Sequence, residues 1–241
     1  MKEISIIVSC EHAGNDVPKE YTEYFNDHQQ LLQSHRGWDI GAYDLAKALS
    51  VRLKIPVFAH HTTRLLVDIN RSLYRRTLFS EITKQFGKEE KLKILNHYYY
   101  PYRNKIEKII MNRISNGNFV LHISIHSFTP VLKGSERKAD IGVLYNPERV
   151  NERGFAKIWK LEMNEIDPGL IIRFNYPYQG KPDGFPAFFR KKYNDNEYAG
   201  YEFEVNQKFY TDDNLNRENF EKAIIDGFIS AQKKFSLLYH G

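Results

Sequence analysis

The segment Phe119-Val120-Leu121-His122-Ile123-Ser124-Ile125 decides the fold, because apolar and β-branched residues follow one another in it without a helical period. Such a run is typical of a strand that is buried on both faces of a mostly parallel sheet. Residues 4–9, Ile-Ser-Ile-Ile-Val-Ser, form a second run of this kind. His126 follows the first run directly, and His12 lies a few residues beyond the second. Functional groups in open α/β sheets lie just beyond the carboxyl ends of strands, so the two histidines are the first candidates for a site.

Strand-like and helix-like segments alternate through the rest of the chain. Further strands are predicted at residues 57–59, 65–70, 141–145 and 201–206, and helices at residues 39–53, 154–165 and from 217 onward. Residues 91–114 have a helical period that Pro101 interrupts, which predicts two helices or one kinked helix. Residues 71–90 are polar and basic without a clear period, and we expect an excursion or lid there. The alternation predicts an α/β fold, and because no repeat or linker divides the chain, one domain over residues 1–241 is predicted.

The composition is typical of a folded protein, with 41% hydrophobic and 27% charged residues in a chain of 241. The net charge is +5, but lysine and arginine are spread among 30 acidic residues, so we interpret the basicity as a solvated surface. We therefore expect a small-molecule substrate and neither nucleic acid nor membrane as a partner. The oligomeric state stays open.

Cys10 is the only cysteine, which excludes a disulfide framework and a cysteine-based zinc site. The apolar run near the N-terminus is too short for a signal peptide, and no stretch approaches the roughly 20 apolar residues of a membrane span. These features predict a cytoplasmic protein.

His12 and His126 are candidate ligands of a metal ion. A catalytic zinc typically takes three protein ligands from histidine and carboxylate and leaves a fourth position for water. Asp39 is the candidate third ligand, because it lies where the chain enters a predicted helix; the alternative is that it caps this helix. Alternatively, His12 could be a hydrogen-bonded residue of a turn, and His126 could be a histidine at the boundary of the core whose nitrogens are hydrogen-bonded within the protein. Glu11, adjacent to His12, is a candidate partner of a ligand or a substitute ligand.

Glu202 and Glu204 share one face of the predicted strand at residues 201–206. Glu204 lies between apolar neighbours, where burial would raise its pKa and suit a general base. For Glu202 we expect an exposed sheet face or an ion pair with a nearby lysine or arginine. Arg64 and Arg71 flank Asp68 and can present a guanidinium fork to a carboxylate substrate; the alternative for one of them is an ion pair with Asp68.

Several blocks of the chain, taken in order, resemble those of the N-formylglutamate amidohydrolase family. They are residues 9–18 (SCEHAGNDVP), 35–42 (HRGWDIGA), 63–71 (TRLLVDINR), 124–130 (SIHSFTP) and 175–178 (NYPY), followed by the predicted strand with Glu204. The resemblance implies a three-layer α/β sandwich with a mixed, mostly parallel sheet, similar to zinc carboxypeptidases and aspartoacylases. It also implies hydrolysis of the amide bond of an N-acyl amino acid, with N-formylglutamate as the type substrate.

The same resemblance implies a site with one Zn²⁺ per chain, held by His12, Asp39 and His126. Glu204 would be the general base and Arg64 a further catalytic residue. The implied substrate-binding residues are Asn15, Asn70, Arg71, Ser127, Arg137 and Tyr178. Two departures from the family pattern concern the substrate: Arg190 stands in a stretch where relatives have a histidine, and Arg137-Lys138-Ala139 replaces Arg-Pro-Trp.

Alternative functions use the same residues differently. A zinc hydrolase of this fold acting on another acyl amino acid or on a peptide is the nearest alternative. A binding protein without turnover is a second, and an RNA-associated module that stacks bases on tyrosines is ranked last, because no aromatic-basic motif of such a module is present.

Overall fold

A computed structural model describes residues 3–239 and contains a six-stranded sheet with helices on both faces. The strands are β1 (Ile4–Cys10), β2 (Val57–Ala59), β3 (Phe119–Phe128), β6 (Ile141–Leu144), β7 (Ile172–Phe174) and β8 (Tyr198–Asn206), with β4 (Val131–Leu132) and β5 (Ser135–Glu136) forming a separate hairpin. The longer helices are α2 (Ala42–Leu53), α3 (Lys88–Ile94), α4 (Tyr100–Ser115), α5 (Val150–Ile166) and α8 (Arg217–Tyr239). The shorter ones are α1 (Gln29–Leu32), α6 (Phe185–Arg190) and α7 (Lys208–Thr211), with a 3₁₀ helix at Lys19–His28 and a π-helical turn at Leu95–Tyr99.

The sheet is mixed and mostly parallel, as predicted, with the strand order β2-β1-β3-β8-β6-β7. Strands β2, β1, β3 and β8 run parallel to one another, whereas β6 is antiparallel to β8 and parallel to β7. All residues of β3 and β8 are buried, which explains why β3 reads as a nearly continuous apolar run. The register places His126 directly opposite Glu204.

Helices cover both faces of the sheet, which completes the predicted three layers. On one face, α2, α5 and α8 bury large side chains such as Trp159, which stacks on Phe203 of β8 with ring centroids 4.2 Å apart. On the other face, Ile106 of α4 and Phe189 of α6 pack against the sheet. Full burial of such a side chain stabilises the fold by about 1.5–3 kcal/mol. None of the helices among residues 3–239 is long and apolar enough to cross a membrane.

The prediction of a strand at residues 65–70 is wrong. This stretch is a series of turns, in which the Asp68 backbone N–H donates to the carbonyl of Leu78 and the Arg71 N–H donates to the carbonyl of Asp68. Its apolar side chains pack instead in a small cluster beside the sheet, together with Leu78 and Ile82. The hydrophobic residues of this stretch therefore stabilise the segment from 71 to 86 rather than the sheet.

The break predicted at Pro101 is present as two helices joined by a π-helical turn. Pro101 lies in the first turn of α4, where its missing N–H costs no hydrogen bond. Helix α2 begins at Ala42, three residues later than predicted, because Gly41 with a φ of +80° turns the chain into the helix.

Candidate active site

A cavity of about 510 Å³ opens at the carboxyl ends of β1, β3 and β8. Its innermost lining residues are His12, Asp39, His126 and Glu204. These strands run parallel, so their carboxyl ends meet at one edge of the sheet. Residues that are far apart in the sequence thus reach one small volume.

The two histidines converge on a single carboxylate oxygen. His12 Nδ1 lies 3.2 Å and His126 Nδ1 lies 2.8 Å from Asp39 Oδ2. One ligand atom from each of the three residues lies within 4.8 Å of the others, and all three side chains are buried. We call these three residues the His-Asp-His cluster.

The far nitrogen of each imidazole faces a second carboxylate. His12 Nε2 lies 2.8 Å from Asp68 Oδ1, and His126 Nε2 lies 3.1 Å from Glu11 Oε2. A carboxylate at Nε2 favours a proton there, so that in the neutral imidazole the lone pair of Nδ1 faces the centre of the cluster. Of the two positions considered for Glu11, the geometry favours that of a partner of His126, because Glu11 lies on the side of this ring away from Asp39.

Asp39 does not cap a helix, so that alternative is wrong. Gly41 occupies the N-terminal cap position of α2, and no side chain caps this helix. The Asp39 backbone N–H donates to the carbonyl of His12 at 3.0 Å, and the Asp39 carbonyl accepts from the Ala42 N–H. The main chain therefore ties Asp39 to His12 and leaves its carboxylate directed at the two imidazoles.

Opposite charges dominate the electrostatics of the cluster. Although burial opposes ionisation, the His12 and His126 imidazoles hold the pKa of Asp39 well below its usual range. Burial likewise opposes the charged form of His126, but hydrogen bonds and attraction to Asp39 and Glu11 raise its pKa well above the usual value. Burial of Glu11 acts to raise its pKa, but the hydrogen bond and attraction to His126 outweigh burial and lower the pKa of Glu11 to about 2.

Glu204 differs from these acids, because burial raises its pKa to about 8 and the nearby Asp39 and Glu202 carboxylates add to the effect. This agrees with the raised pKa predicted from its apolar neighbours. Glu204 Oε2 is buried and has no hydrogen-bond partner among residues 3–239. A buried acceptor without a partner is costly, and because Glu204 lines the cavity, this oxygen is available to a group that binds there.

The expectation for Glu202 is wrong. Its side chain is buried, and Oε1 accepts a hydrogen bond from Asn70 Nδ2 at 2.7 Å instead of pairing with a lysine or arginine. Asn70 in turn accepts from the backbone N–H of Phe185 at 2.6 Å. Asn70 and Glu202 both line the cavity, where their mutual hydrogen bond fixes their orientation.

Both Arg64 and Arg71 form an ion pair with Asp68. From the sequence, we considered such an ion pair for only one of them. Arg64 donates to Asp68 Oδ2 at 2.7 Å and to Asp39 Oδ1 at 3.3 Å. Arg71 Nε lies 3.9 Å from the same Asp68 oxygen, and 32% of its side chain is exposed. Arg64 is therefore held firmly at the cluster, and Arg71 is the more available of the two.

The structure brings four of the six predicted substrate-binding residues to the cavity lining. These are Asn70, Arg71, Ser127 and Tyr178. Asn15 is not among them, because its amide donates to the carbonyl of Leu32 at 2.9 Å. Arg137 lies at the rim, with its guanidinium 5.3 Å from the ring centroid of Tyr178.

Arg190 does not take the place of a substrate-binding histidine. Its guanidinium binds the buried carboxylate of Glu152 at 2.8 Å and donates to the carbonyls of Gly180 and Gly200 at 2.6 Å each. Arg190 therefore holds the loop at Gly180 to the sheet and lies outside the cavity lining.

The outer wall of the cavity comes from residues that were not singled out in the sequence. They are His35, Arg36, Leu65, Arg76, Thr77, Phe79, Ser80, Glu81 and Lys84. Most belong to the basic stretch predicted as an excursion or lid, and basic composition was the only sequence signal for this position.

The donor set fits a divalent transition metal such as Zn²⁺. Two neutral imidazoles and one carboxylate are the three protein ligands of many catalytic zinc sites. Each histidine has its second nitrogen on a carboxylate, as is usual for metal-binding histidines. The cluster also borders an open cavity, which leaves room for a fourth ligand.

The same fold occurs in solved structures. A gene product of Agrobacterium tumefaciens is 24% identical, with a TM-score of 0.77 over 98% of this chain and 92% of that chain. An N-formylglutamate amidohydrolase from Ralstonia eutropha is 15% identical, with a TM-score of 0.69 over 100% of this chain and 96% of that one. No curated protein is significantly similar to the sequence.

A match to a family model identifies the class of protein as a hydrolase that acts on amide bonds. The model described as N-formylglutamate amidohydrolase matches residues 4–211, which include the His-Asp-His cluster and Glu204. The chain belongs to the N-formylglutamate amidohydrolase family.

Proposed function

We propose that the chain is a zinc-dependent amidohydrolase that converts an N-formyl amino acid, such as N-formylglutamate, to formate and the free amino acid. The single observation that carries the proposal is the His-Asp-His cluster beside Glu204, because one cavity then contains three metal ligands and a base. Family membership supports the reaction class.

His12, Asp39 and His126 would hold one zinc ion through Nδ1, Oδ2 and Nδ1, respectively. When bound, the ion supplies positive charge that acidifies a water molecule, polarises the acyl oxygen and favours the carboxylate form of Glu204. Asp68 and Glu11 keep the two imidazoles in the tautomer that this binding needs.

Glu204 acts as the general base in the proposed reaction. Its carboxylate takes a proton from water while the water oxygen bonds to the formyl carbon, and it then gives that proton to the leaving nitrogen as the C–N bond breaks. The product formic acid ionises and its proton passes to the amine, so formate and the amino acid with a protonated amino group result, and atoms and charge balance. An Arg64 N–H that is not used by Asp39 or Asp68 stabilises the negative oxygen that develops on the formyl group.

The carboxylates of the amino acid part are bound by groups farther from the cluster. Arg71 is suited to this role, because it lines the cavity and is only loosely paired with Asp68. The hydroxyl groups of Ser127 and Tyr178 lie along the same path and can donate further hydrogen bonds.

The test is metal analysis combined with formate release. We expect about one zinc ion per chain after purification without chelators, and formate release from N-formylglutamate. Glu204→Gln is expected to retain zinc and lose at least about 100-fold in kcat, since a general base contributes about 10²–10⁴-fold. His126→Ala is expected to lose zinc as well as activity.

A folded, zinc-loaded protein that releases no formate from any of a panel of N-formyl amino acids would contradict the proposed reaction. Folded protein that binds no added zinc would contradict the proposed cofactor.

A further inference from the structure

A second hollow, which we call the outer groove, adjoins the cavity and has none of the three residues of the His-Asp-His cluster in its lining. It has a volume of about 600 Å³, and Arg71, Arg76 and Tyr178 line both it and the main cavity. Tyr74 and Arg75 complete its exposed side. The outer groove and the main cavity therefore adjoin at Arg71, Arg76 and Tyr178.

In the described part of the chain, two arginines at the junction between the two hollows lack a close ion-pair partner, although the Asp183 carboxylate also lines both hollows. Arg76 is exposed and makes no hydrogen bond or ion pair with any residue in the described range 3–239. Arg71 competes for an Asp68 oxygen that Arg64 already contacts at 2.7 Å. In contrast, Arg75 is paired with Asp183 at 3.0 Å. Arg71 and Arg76 are thus the two cations available to an anionic ligand there.

The wall that carries these cations is anchored. The Asp183 carboxylate is buried and accepts hydrogen bonds from Ser72 Oγ at 2.5 Å and from Arg75 Nε at 3.0 Å. Leu78, just beyond Arg76, is buried and packs in the small apolar cluster beside the sheet. Binding in the outer groove therefore does not require this wall to become ordered first.

The space exceeds what a single formylated amino acid fills. N-Formylglutamate has about a dozen non-hydrogen atoms, whereas cavities of about 300–1,000 Å³ typically enclose drug-sized ligands. The main cavity alone has about 510 Å³, and the outer groove adds to it. A substrate whose formyl group lies at the cluster and whose two carboxylates are bound by Arg71 and by the hydroxyl groups of Ser127 and Tyr178, as proposed above, leaves Arg76 without a partner.

We propose that the site accepts formylated acidic peptides, in which a second acidic residue follows the formylated one and places its side-chain carboxylate against Arg76. The exposed ring of Tyr178 provides a flat surface for the intervening peptide group. This inference rests on the proposed deformylase function and specifies its substrate class.

The test compares formate release from N-formyl-Glu, N-formyl-Glu-Glu and N-formyl-Glu-Ala. We expect kcat/KM to be about tenfold higher for N-formyl-Glu-Glu than for the other two, because one added charge-assisted contact contributes on the order of 1.4 kcal/mol. In Arg76→Ala this ratio is expected to fall close to 1. Lys84→Ala, which removes a cation from the wall of the main cavity only, is expected to keep the ratio.

Calorimetric titration of the products keeps the inference testable without turnover. Glu-Glu is expected to bind the zinc-loaded protein about tenfold more tightly than glutamate or Glu-Ala, and Arg76→Ala is expected to remove this difference. Equal values for all three ligands would overturn the inference, and formate release from N-formylglutamate would then still support the proposed function. Absence of formate release with the Glu-Glu preference intact in the calorimetric titration would overturn the proposed function, whereas the binding of acidic peptides in the outer groove would remain supported.

Discussion

Asp68 connects the candidate metal ligands to the arginines of the cavity, since it accepts from His12 on one oxygen and from Arg64 on the other. At the residue scale we expect Asp68→Asn to weaken zinc binding about 10–100-fold, because an amide holds the Nε2 proton of His12 less firmly than a carboxylate does. Competition with a chromogenic chelator measures the affinity.

The matched control for this change is Asp183→Asn, which alters another buried carboxylate that pairs with Arg75 and contacts neither histidine. The zinc affinity of the control should equal that of the wild type. An Asp68→Asn protein with unchanged affinity would show that Asp68 does not position His12.

His122 predicts a pH dependence of stability. It is fully buried in β3 between Ser9 Oγ and Tyr198 Oη, and burial lowers its pKa from 6.5 to about 4. As the pH falls, His122 is protonated in the unfolded chain near pH 6.5 but in the folded protein only near pH 4. The contribution of neutral, buried His122 to the unfolding free energy is therefore complete above about pH 6.5 and is lost as the pH falls toward 4. The difference between the two pKa values corresponds to about 3 kcal/mol of unfolding free energy.

Urea denaturation of the protein between pH 4 and 7 measures this dependence, with a chelator present so that metal binding does not contribute. His122→Gln should show a shallower loss of unfolding free energy over the same range. Equal slopes in the two proteins would mean that His122 is not the group that titrates.

At the element scale, the start of α2 positions Asp39. Gly41 has a φ of +80°, and a Cβ at this position would overlap the ring of Tyr210. We expect Gly41→Ala to cost about 1–2 kcal/mol for the left-handed backbone and about 1–3 kcal/mol more for the overlap. Thermal unfolding should show this as a lower Tm.

Gly117 is the matched control, because its φ is +83° and a Cβ there has nothing within 4 Å. Gly117→Ala should therefore cost only the backbone part, and the difference between the two variants isolates the contact with Tyr210. An equal decrease of Tm in the two variants would show that the contact with Tyr210 does not contribute to the stability of this turn.

At the scale of the whole molecule, the cavity joins β1, β3, β8 and the turn before α2, so the proposed zinc ion would link elements from distant parts of the chain. A ligand at 100 times its dissociation constant stabilises the folded state by about 2.7 kcal/mol. For a chain of this size, removal of zinc by a chelator should therefore lower the Tm by about 5–10 °C.

The same chelator should have no effect on the Tm of His126→Ala, which lacks one of the proposed ligands. A chelator effect of equal size in both proteins would place the stabilising ion elsewhere.

Local sequence patterns predicted the two central strands and the candidate residues at their ends, whereas β7 was not predicted. The apolar runs at residues 4–9 and 119–125 predicted buried parallel strands, and His12 and His126 followed from the position of functional groups in such sheets. Alternation in β8 placed Glu202 and Glu204 on the face that lines the cavity. The strand predictions held because strand periodicity depends on neighbouring residues only, and they placed the two histidines at the edge of the sheet where the cavity opens.

Partners from distant parts of the chain were decided by the tertiary structure. Asp68 lies 56 residues from His12, and Arg190 lies 38 residues from Glu152, so no local pattern shows that these side chains meet. The apolar residues at 65–70 resembled a strand, but packing against Leu78 and Ile82 made them a turn-rich cluster. The physical reason is that a hydrophobic or charged side chain gains its free energy from whichever partner the fold brings near, and sequence periodicity does not specify that partner.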